Sequence, residues 1–322
     1  MILDIALLII GFILLIKGAD MMVDGSASIA KKFGLSNLMI GLTIIAFGTS
    51  APELIVNIIS SINGSSDIGM GNIVGSNISN VLLILGASAL FCNLRVDDSI
   101  VKKQIPFSIL ASIVLFLLIN KTMINGGGLD GLFRSDGLVL ISFFAIFLYY
   151  TFGMARKNPE EIAAEADEVI ERKTIYSSIL ILAGVLGLFF GGRFIVDSAV
   201  SISFSLGLSE ALIGLTVIAI GTSLPELAAS IIAARKNQIG MAVGNIIGSN
   251  IFNILWVLGL SSIINPIAYN PAINFDIFFM IFSISFLVLL VFSGKKRYFT
   301  KKDGFILLFL YLAYMAFVVI RG

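Results

Sequence analysis

The sequence predicts an all-α polytopic membrane protein of ten transmembrane helices, arranged as two inverted five-helix repeats. Three observations carry this expectation. Apolar stretches long enough to cross hydrocarbon recur along the whole chain. A pair of polar motifs is duplicated at a fixed offset. Lysine and arginine segregate to one side of the predicted membrane.

The chain has 322 residues, of which 58% are hydrophobic and 13% charged, and its mean hydropathy is +1.04. Soluble domains carry roughly 25% charged residues, so this chain cannot cover a water-facing surface and lipid is its solvent. The formal charge of +1 gives no reason to expect a nucleic-acid partner. The absence of histidine removes imidazole as proton shuttle or metal ligand. It also removes any His-Glu-x-x-His enzyme motif, and no span carries a catalytic-type aspartate pair, so no enzymatic activity is expected. A single cysteine, Cys92, excludes an intramolecular disulfide and a cysteine metal cluster. The run from Ile5 to Ile16 does not read as a signal peptide, because no basic segment precedes it and no small-residue cleavage site follows.

Spans are expected near 3–24, 36–62, 68–91, 104–120, 136–154, 175–203, 209–234, 240–265, 273–293 and 303–320. Their apolar runs are continuous rather than alternating, which selects helices over a β-barrel. With the N-terminus outside, the inner loops hold Lys31, Lys32, Arg95, Lys102, Lys103, Arg156, Lys157, Arg172, Lys173, Arg235, Lys236, Lys295, Lys296, Arg297, Lys301 and Lys302. The outer side holds only Lys121, Arg134 and Arg321, while Lys17 and Arg193 fall within spans. This bias places both termini outside a cell membrane. The expected organisation is a first repeat over 1–154, a cytoplasmic linker over 155–174 and a second repeat over 175–322. The linker is polar and too short for a folded regulatory domain.

Gly41-Leu-Thr-Ile-Ile-Ala-Phe-Gly-Thr-Ser-Ala-Pro-Glu53 recurs as Gly214-Leu-Thr-Val-Ile-Ala-Ile-Gly-Thr-Ser-Leu-Pro-Glu226. Gly71-Asn-Ile-Val-Gly-Ser-Asn-Ile-Ser-Asn80 recurs as Gly244-Asn-Ile-Ile-Gly-Ser-Asn-Ile-Phe-Asn253. An offset of 173 residues carries Glu53 onto Glu226 and Asn80 onto Asn253, without a gap. Five spans per half is an odd number, so the halves enter the membrane in opposite directions. Such inverted repeats are typical of secondary transporters and occur in channels too.

Pro52 and Pro225 sit inside apolar runs. Each lacks an N–H, so the carbonyls of Gly48 and Gly221 lose their helical partner. A broken helix in lipid persists only where the freed groups find other partners, and a bound cation is one. Glu53 and Glu226 are the only carboxylates deep in the predicted spans, where a bare charge costs several kcal/mol. Two carboxylates brought together by symmetry suit a divalent ion such as Ca²⁺, which takes about six to eight oxygen ligands. Thr49 and Ser50 lie on the helix face of Glu53, and Thr222 and Ser223 on that of Glu226. Asn72, Ser76 and Asn80 form a polar stripe at helical spacing, repeated by Asn245, Ser249 and Asn253. Ser76, Asn80, Ser249 and Asn253 read as ligands. For Asn72, Asn77, Asn245 and Asn250, interhelical hydrogen bonding is the competing role. Asp24 and Asp197, near span ends with Lys17 and Arg193 nearby, read as ion-paired or snorkelling residues.

These motifs resemble the repeats of the Ca²⁺/cation antiporter superfamily, and within it the sodium/calcium exchangers, including prokaryotic ones. Gly-Thr-Ser-Ala-Pro-Glu53, Gly-Ser-Asn-Ile-Ser-Asn80 and their second copies carry the resemblance, which spans both halves. The resemblance implies a secondary antiporter that exchanges Na⁺ for Ca²⁺ by alternating access, with no cofactor and with the two ions as its cargo. It implies ligands at Ala46 (carbonyl), Thr49, Ser50, Glu53, Ser76 and Asn80, and at Ala219 (carbonyl), Thr222, Ser223, Glu226, Ser249 and Asn253. One Ca²⁺ or about three Na⁺ would occupy this cluster. Potassium-dependent relatives carry aspartate where this chain has Asn253, which argues against potassium use. The resemblance also implies that the first and sixth spans slide as a pair against the rest. A chain of this kind is expected to act as a monomer in the bilayer. A proton/Ca²⁺ exchanger on the same scaffold is the nearest alternative, and a cation channel a more distant one.

Overall fold

The computed structural model describes residues 2–63, 66–127, 129–154, 169–205, 219–268, 270–293 and 297–321. Most of the expected linker, the first part of the seventh span with Gly214 to Ile218, and Arg156, Lys157, Lys295 and Lys296 lie outside the described residues. The fold is all-α, apart from two small strand pairs among the described residues. Its helices are α1 (Ile2–Phe33), α2 (Asn37–Thr49), α3 (Ala51–Ile62), α4 (Gly69–Phe91), α5 (Ile100–Ile119) and α6 (Arg134–Met154) in the first repeat. The second repeat has α7 (Thr174–Ser205), α8 (Ala219–Gly221), α9 (Leu224–Arg235), α10 (Ile239–Ile264), α11 (Ile273–Ser293) and α12 (Lys301–Arg321). Among the described residues, eight helices are long and apolar enough to cross a membrane, and the bent pair α2–α3 makes a ninth span. α8 and α9 are the described part of the remaining expected span.

Why these segments are helices follows from their composition. Leu, Ile, Phe and Ala dominate, and in hydrocarbon the backbone must satisfy itself locally. α4 and α10 occupy the centre: 78% and 83% of their most apolar windows are buried, against 22% for α1 and 28% for α7. Lipid therefore faces α1 and α7, and the polar stripes of the sequence ride on the two most buried helices.

α1 and α7 are each 32 residues long, or ~48 Å at ~1.5 Å per residue. The expected end of the first span near residue 24 is too early, because the helix continues to Phe33. The extra turns are made of small residues, Gly25, Ser26, Ala27, Ser28 and Ala30, all buried, and end on Lys31 and Lys32, which complement the helix C-terminus. The two helices pack at backbone distance. A Cβ added to Gly18 would stand 2.7 Å from the Leu188 nitrogen, and one on Gly184 would stand 2.7 Å from the Gly18 carbonyl oxygen. Glycine at this seam is what allows the approach.

Two short antiparallel strand pairs tie the repeats together. Leu94–Arg95 (β1) pairs with Tyr298–Phe299 (β4), and Gly131–Leu132 (β2) pairs with Ile267–Ala268 (β3). Each pair joins a loop of one repeat to a loop of the other. Two-residue strands leave no periodic trace, so the sequence does not reveal them.

Asp197 pairs with Arg193 at 3.4 Å, as the spacing suggested. Asp24 does not pair with Lys17, which is exposed. It is instead held by Lys236 at the end of α9 and by Arg172 at 3.8 Å. Lys236 also pairs with Asp20 at 2.6 Å. These partners are more than a hundred residues away in sequence, beyond what local spacing reveals.

The glycine seam yields a stability prediction. Gly18→Leu drives a side chain into the α7 backbone and lowers the melting temperature in detergent, at a cost of about 1–3 kcal/mol or more. Gly153→Ala, whose added carbon meets no atom of the described residues within 4 Å, leaves it unchanged. Equal melting temperatures for the two variants contradict this packing.

Candidate functional site

The break in the second span falls at Ser50, whose backbone (φ −83°, ψ 6°) leaves the helical range between α2 and α3. The two helices meet there at 46°. Pro52 sits in the first turn of α3, where a missing N–H costs nothing. The second repeat does the same: Ser223 (φ −87°, ψ 2°) precedes α9, with Pro225 in its first turn. In both copies the glutamate follows the proline and lies in the first turn of the new helix. There the helix N-terminus favours negative charge.

Opposite these breaks stand α4 and α10. Each contains a π-helical segment at its asparagine, Asn80–Ile84 in one and Phe252–Val257 in the other. Such segments re-aim side chains and recur at functional sites.

The structure brings the two repeats together at these points. Glu53 and Glu226 are fully buried, as are Thr49, Ser50, Ser76, Asn80, Ser223, Ser249 and Asn253. The Ser50 hydroxyl donates to Glu226 Oε1 across the repeat interface at 3.1 Å. Ser76 donates to Glu53 Oε1 at 3.4 Å. Thr49 donates to Asn245 Oδ1 at 3.0 Å, lies 3.3 Å from the Ala46 carbonyl oxygen and comes within 3.5 Å of Ser249 Oγ.

The remaining oxygens are more telling. Among the described residues, Glu53 Oε2, Glu226 Oε2, Asn80 Oδ1 and Asn253 Oδ1 are buried and have no hydrogen-bond partner, and neither do Thr222 Oγ1 and Ser223 Oγ. The asparagines are turned this way by a symmetric exchange. Asn80 Nδ2 donates to Asn250 Oδ1, and Asn253 Nδ2 donates to Asn77 Oδ1, each at 3.0 Å. With their amide nitrogens so engaged, Asn80 and Asn253 are left with unpartnered side-chain oxygens among the described residues. Four orphaned acceptors, two of them carboxylate oxygens, lack what a buried site requires, which is positive charge. Among the described residues no three acidic, histidine or cysteine side chains gather. The oxygens gathered here are two carboxylates and neutral groups, a donor set of the type that suits hard cations.

Most of the expected ligands thus share one buried locus. Ala46 is there, but its carbonyl already accepts from the Ser50 N–H at 3.0 Å and lies near Thr49. Thr222 lies at the turn between α8 and α9, and Ala219 begins the described part of its span. Asn77, Asn250 and Asn245 take the interhelical role that was open to them. Sequence reading missed Asn57 and Ser230. Asn57 donates to the Glu53 carbonyl at 3.0 Å, and Ser230 accepts from Asn245 at 2.9 Å. Both lie four residues beyond a motif glutamate, and the 173-residue offset relates them, so helical spacing was the signal.

The asparagine exchange carries a prediction of its own. Asn250→Ala strands the Asn80 amide, and Asn77→Ala strands that of Asn253. Each lowers stability by about 1–3 kcal/mol, read as melting temperature in detergent, and the two losses match in size. A neutral result for either removes the exchange as a structural element.

The sequence profile described as "Sodium/calcium exchanger protein" matches residues 3–153 and 176–320. The inner membrane protein YrbG of Escherichia coli is 36% identical over 277 residues, covering 84% of this chain and 83% of its own. The sodium/calcium exchanger MaX1 of Methanosarcina acetivorans is 32% identical, covering 96% of each chain. A solved structure of the sodium-calcium exchanger NCX_Mj, soaked without Na⁺ and Ca²⁺, superposes with a TM-score of 0.82 at 32% identity, over 98% of this chain and 99% of that one.

Proposed function

The chain belongs to the sodium/calcium exchanger family, and from that premise we propose that it exchanges Na⁺ for Ca²⁺ at the site between Glu53 and Glu226. The observation that carries this reading is the pair of buried carboxylates on broken helices, each with one oxygen that no donor among the described residues reaches. The ligands are Glu53 and Glu226, the hydroxyls of Thr49, Ser50, Ser76, Thr222, Ser223 and Ser249, the Asn80 and Asn253 oxygens and the carbonyls of Ala46 and Ala219.

Charge explains the coupling. Ca²⁺ neutralises the two carboxylates. Several Na⁺ do the same work from the same oxygens, so the ions compete. An empty site holds two bare charges away from water, which costs several kcal/mol. The protein therefore changes its open face when loaded and stays put when empty. That rule makes an exchanger rather than a channel. The moving element is the α1–α7 pair, whose backbones are packed together and which carry none of the ligands. Both termini lie outside the cell, residues 1–154 and 175–322 form the two repeats around the inner linker at 155–174, and the protein works as a monomer.

The test is ⁴⁵Ca²⁺ uptake into proteoliposomes. Uptake is expected with an outward Na⁺ gradient and not with K⁺ inside. Glu53→Gln and Glu226→Gln each remove it to background while the protein remains folded. Uptake driven equally by a proton gradient, with no response to Na⁺, contradicts the sodium assignment.

Acidity supplies a second test. Protons compete with cations for carboxylate oxygens, so half-saturating Ca²⁺ rises as the pH is lowered towards about 5. Ca²⁺ uptake that is unchanged across that range shows that the carboxylates do not hold the ion.

A further inference from the structure

The two halves of the site are built from the same residues but are not in the same state. In one half, Thr49 of the first repeat donates to Asn245 Oδ1 of the second at 3.0 Å. The Asn245 amide donates in turn to Ser230 Oγ at 2.9 Å and to the Glu226 carbonyl at 3.4 Å. The repeat offset carries this set onto Thr222, Asn72 and Asn57. There the bonds are open. Among the described residues, Thr222 Oγ1 and Asn72 Nδ2 are both buried without a partner, although α8 and α4 touch. Asn57 turns to the Glu53 carbonyl instead, and its Oδ1 has no partner either.

Backbone packing marks the first of these halves as closed. On α10, a Cβ at Gly244 would stand 2.7 Å from the Leu38 carbonyl oxygen, and one at Gly248 would stand 2.9 Å from the Leu42 Cα. α2 and α10 are closed on one another.

We propose that Asn245 and Asn72 are positioning residues that form a reciprocal hydrogen-bond switch. Each holds the motif threonine of the opposite repeat while its own half is closed, and releases it when that half opens. The inference rests on the exchange reading and adds residues to it that are not ligands. Its physical basis is conservation of bonds. A threonine hydroxyl has one proton. Given to the asparagine, it leaves the oxygen lone pairs for a cation. When one threonine is captured as the other is released, the two conformations contain equal numbers of buried bonds. Their free energies then stay close, which an alternating protein requires.

The test is ⁴⁵Ca²⁺/⁴⁰Ca²⁺ self-exchange in oriented proteoliposomes, which needs no sodium. Half-saturating Ca²⁺ is measured at each face, and its ratio across the membrane reports the balance of the two states. Asn245→Ala releases the half closed here, and Asn72→Ala weakens the opposite closure. The ratio should move in opposite directions, by roughly three- to ten-fold each. The double variant should return to within about two-fold of wild type. Asn245→Leu and Asn72→Leu, which keep the volume, should repeat the pattern if an alanine variant does not fold. Shifts of the same sign, or no shift in a protein whose wild type exchanges, overturn the switch alone. A wild type that exchanges no Ca²⁺ overturns the exchange reading together with it.

Discussion

Two carboxylates held away from water set the terms for everything else in this protein. A buried charge in a membrane is costly unless it is paired. Arginine or lysine would pair Glu53 and Glu226 permanently, yet no basic side chain reaches either one among the ion pairs of the described residues. The donors present are hydroxyls, and they serve one oxygen of each carboxylate only. On the proposed reading, the pairing charge comes and goes with the solution. Proline breaks, π-helical turns and asparagines with occupied amide groups all keep oxygen atoms available to it.

The symmetry of the duplication solves a construction problem. One broken helix presents one carboxylate and a few freed groups. An inverted copy presents the same set from the other direction, and the two meet where the central helices α4 and α10 cross. Hydrogen bonds between the copies, Ser50 to Glu226 and the Asn77–Asn253 and Asn80–Asn250 pairs, hold the halves in register. Backbone-close packing joins the peripheral pair α1 and α7 along a glycine seam. Symmetry in sequence coexists with asymmetry in structure at Thr49 and Thr222, as a protein that alternates between two faces must allow.

Much of this was legible in the sequence because lipid simplifies the code. Continuous apolar runs have one reading, and a carboxylate inside one of them stands out. The repeat offset then doubled every observation, so Pro52 and Glu53 were read together with Pro225 and Glu226. Long-range partners were not legible. Asp24 meets Lys236 and not its sequence neighbour Lys17, because the contact depends on how α1 packs along α9. The length of α1 was underestimated because hydropathy alone marks the boundary at Asp24, whereas small buried residues carry the helix to Phe33. Asn57 and Ser230 were passed over because they differ in type between the repeats, although their positions match.

The central claim is that Ca²⁺ and Na⁺ take the same oxygens between Glu53 and Glu226. Equilibrium ⁴⁵Ca²⁺ binding to the purified protein, titrated with Na⁺, tests it most directly. The account predicts one Ca²⁺ per chain, lost in Glu53→Gln, and displaced by Na⁺ along a curve steeper than single-site competition. Bound Ca²⁺ that persists undisturbed through the Na⁺ titration would contradict it.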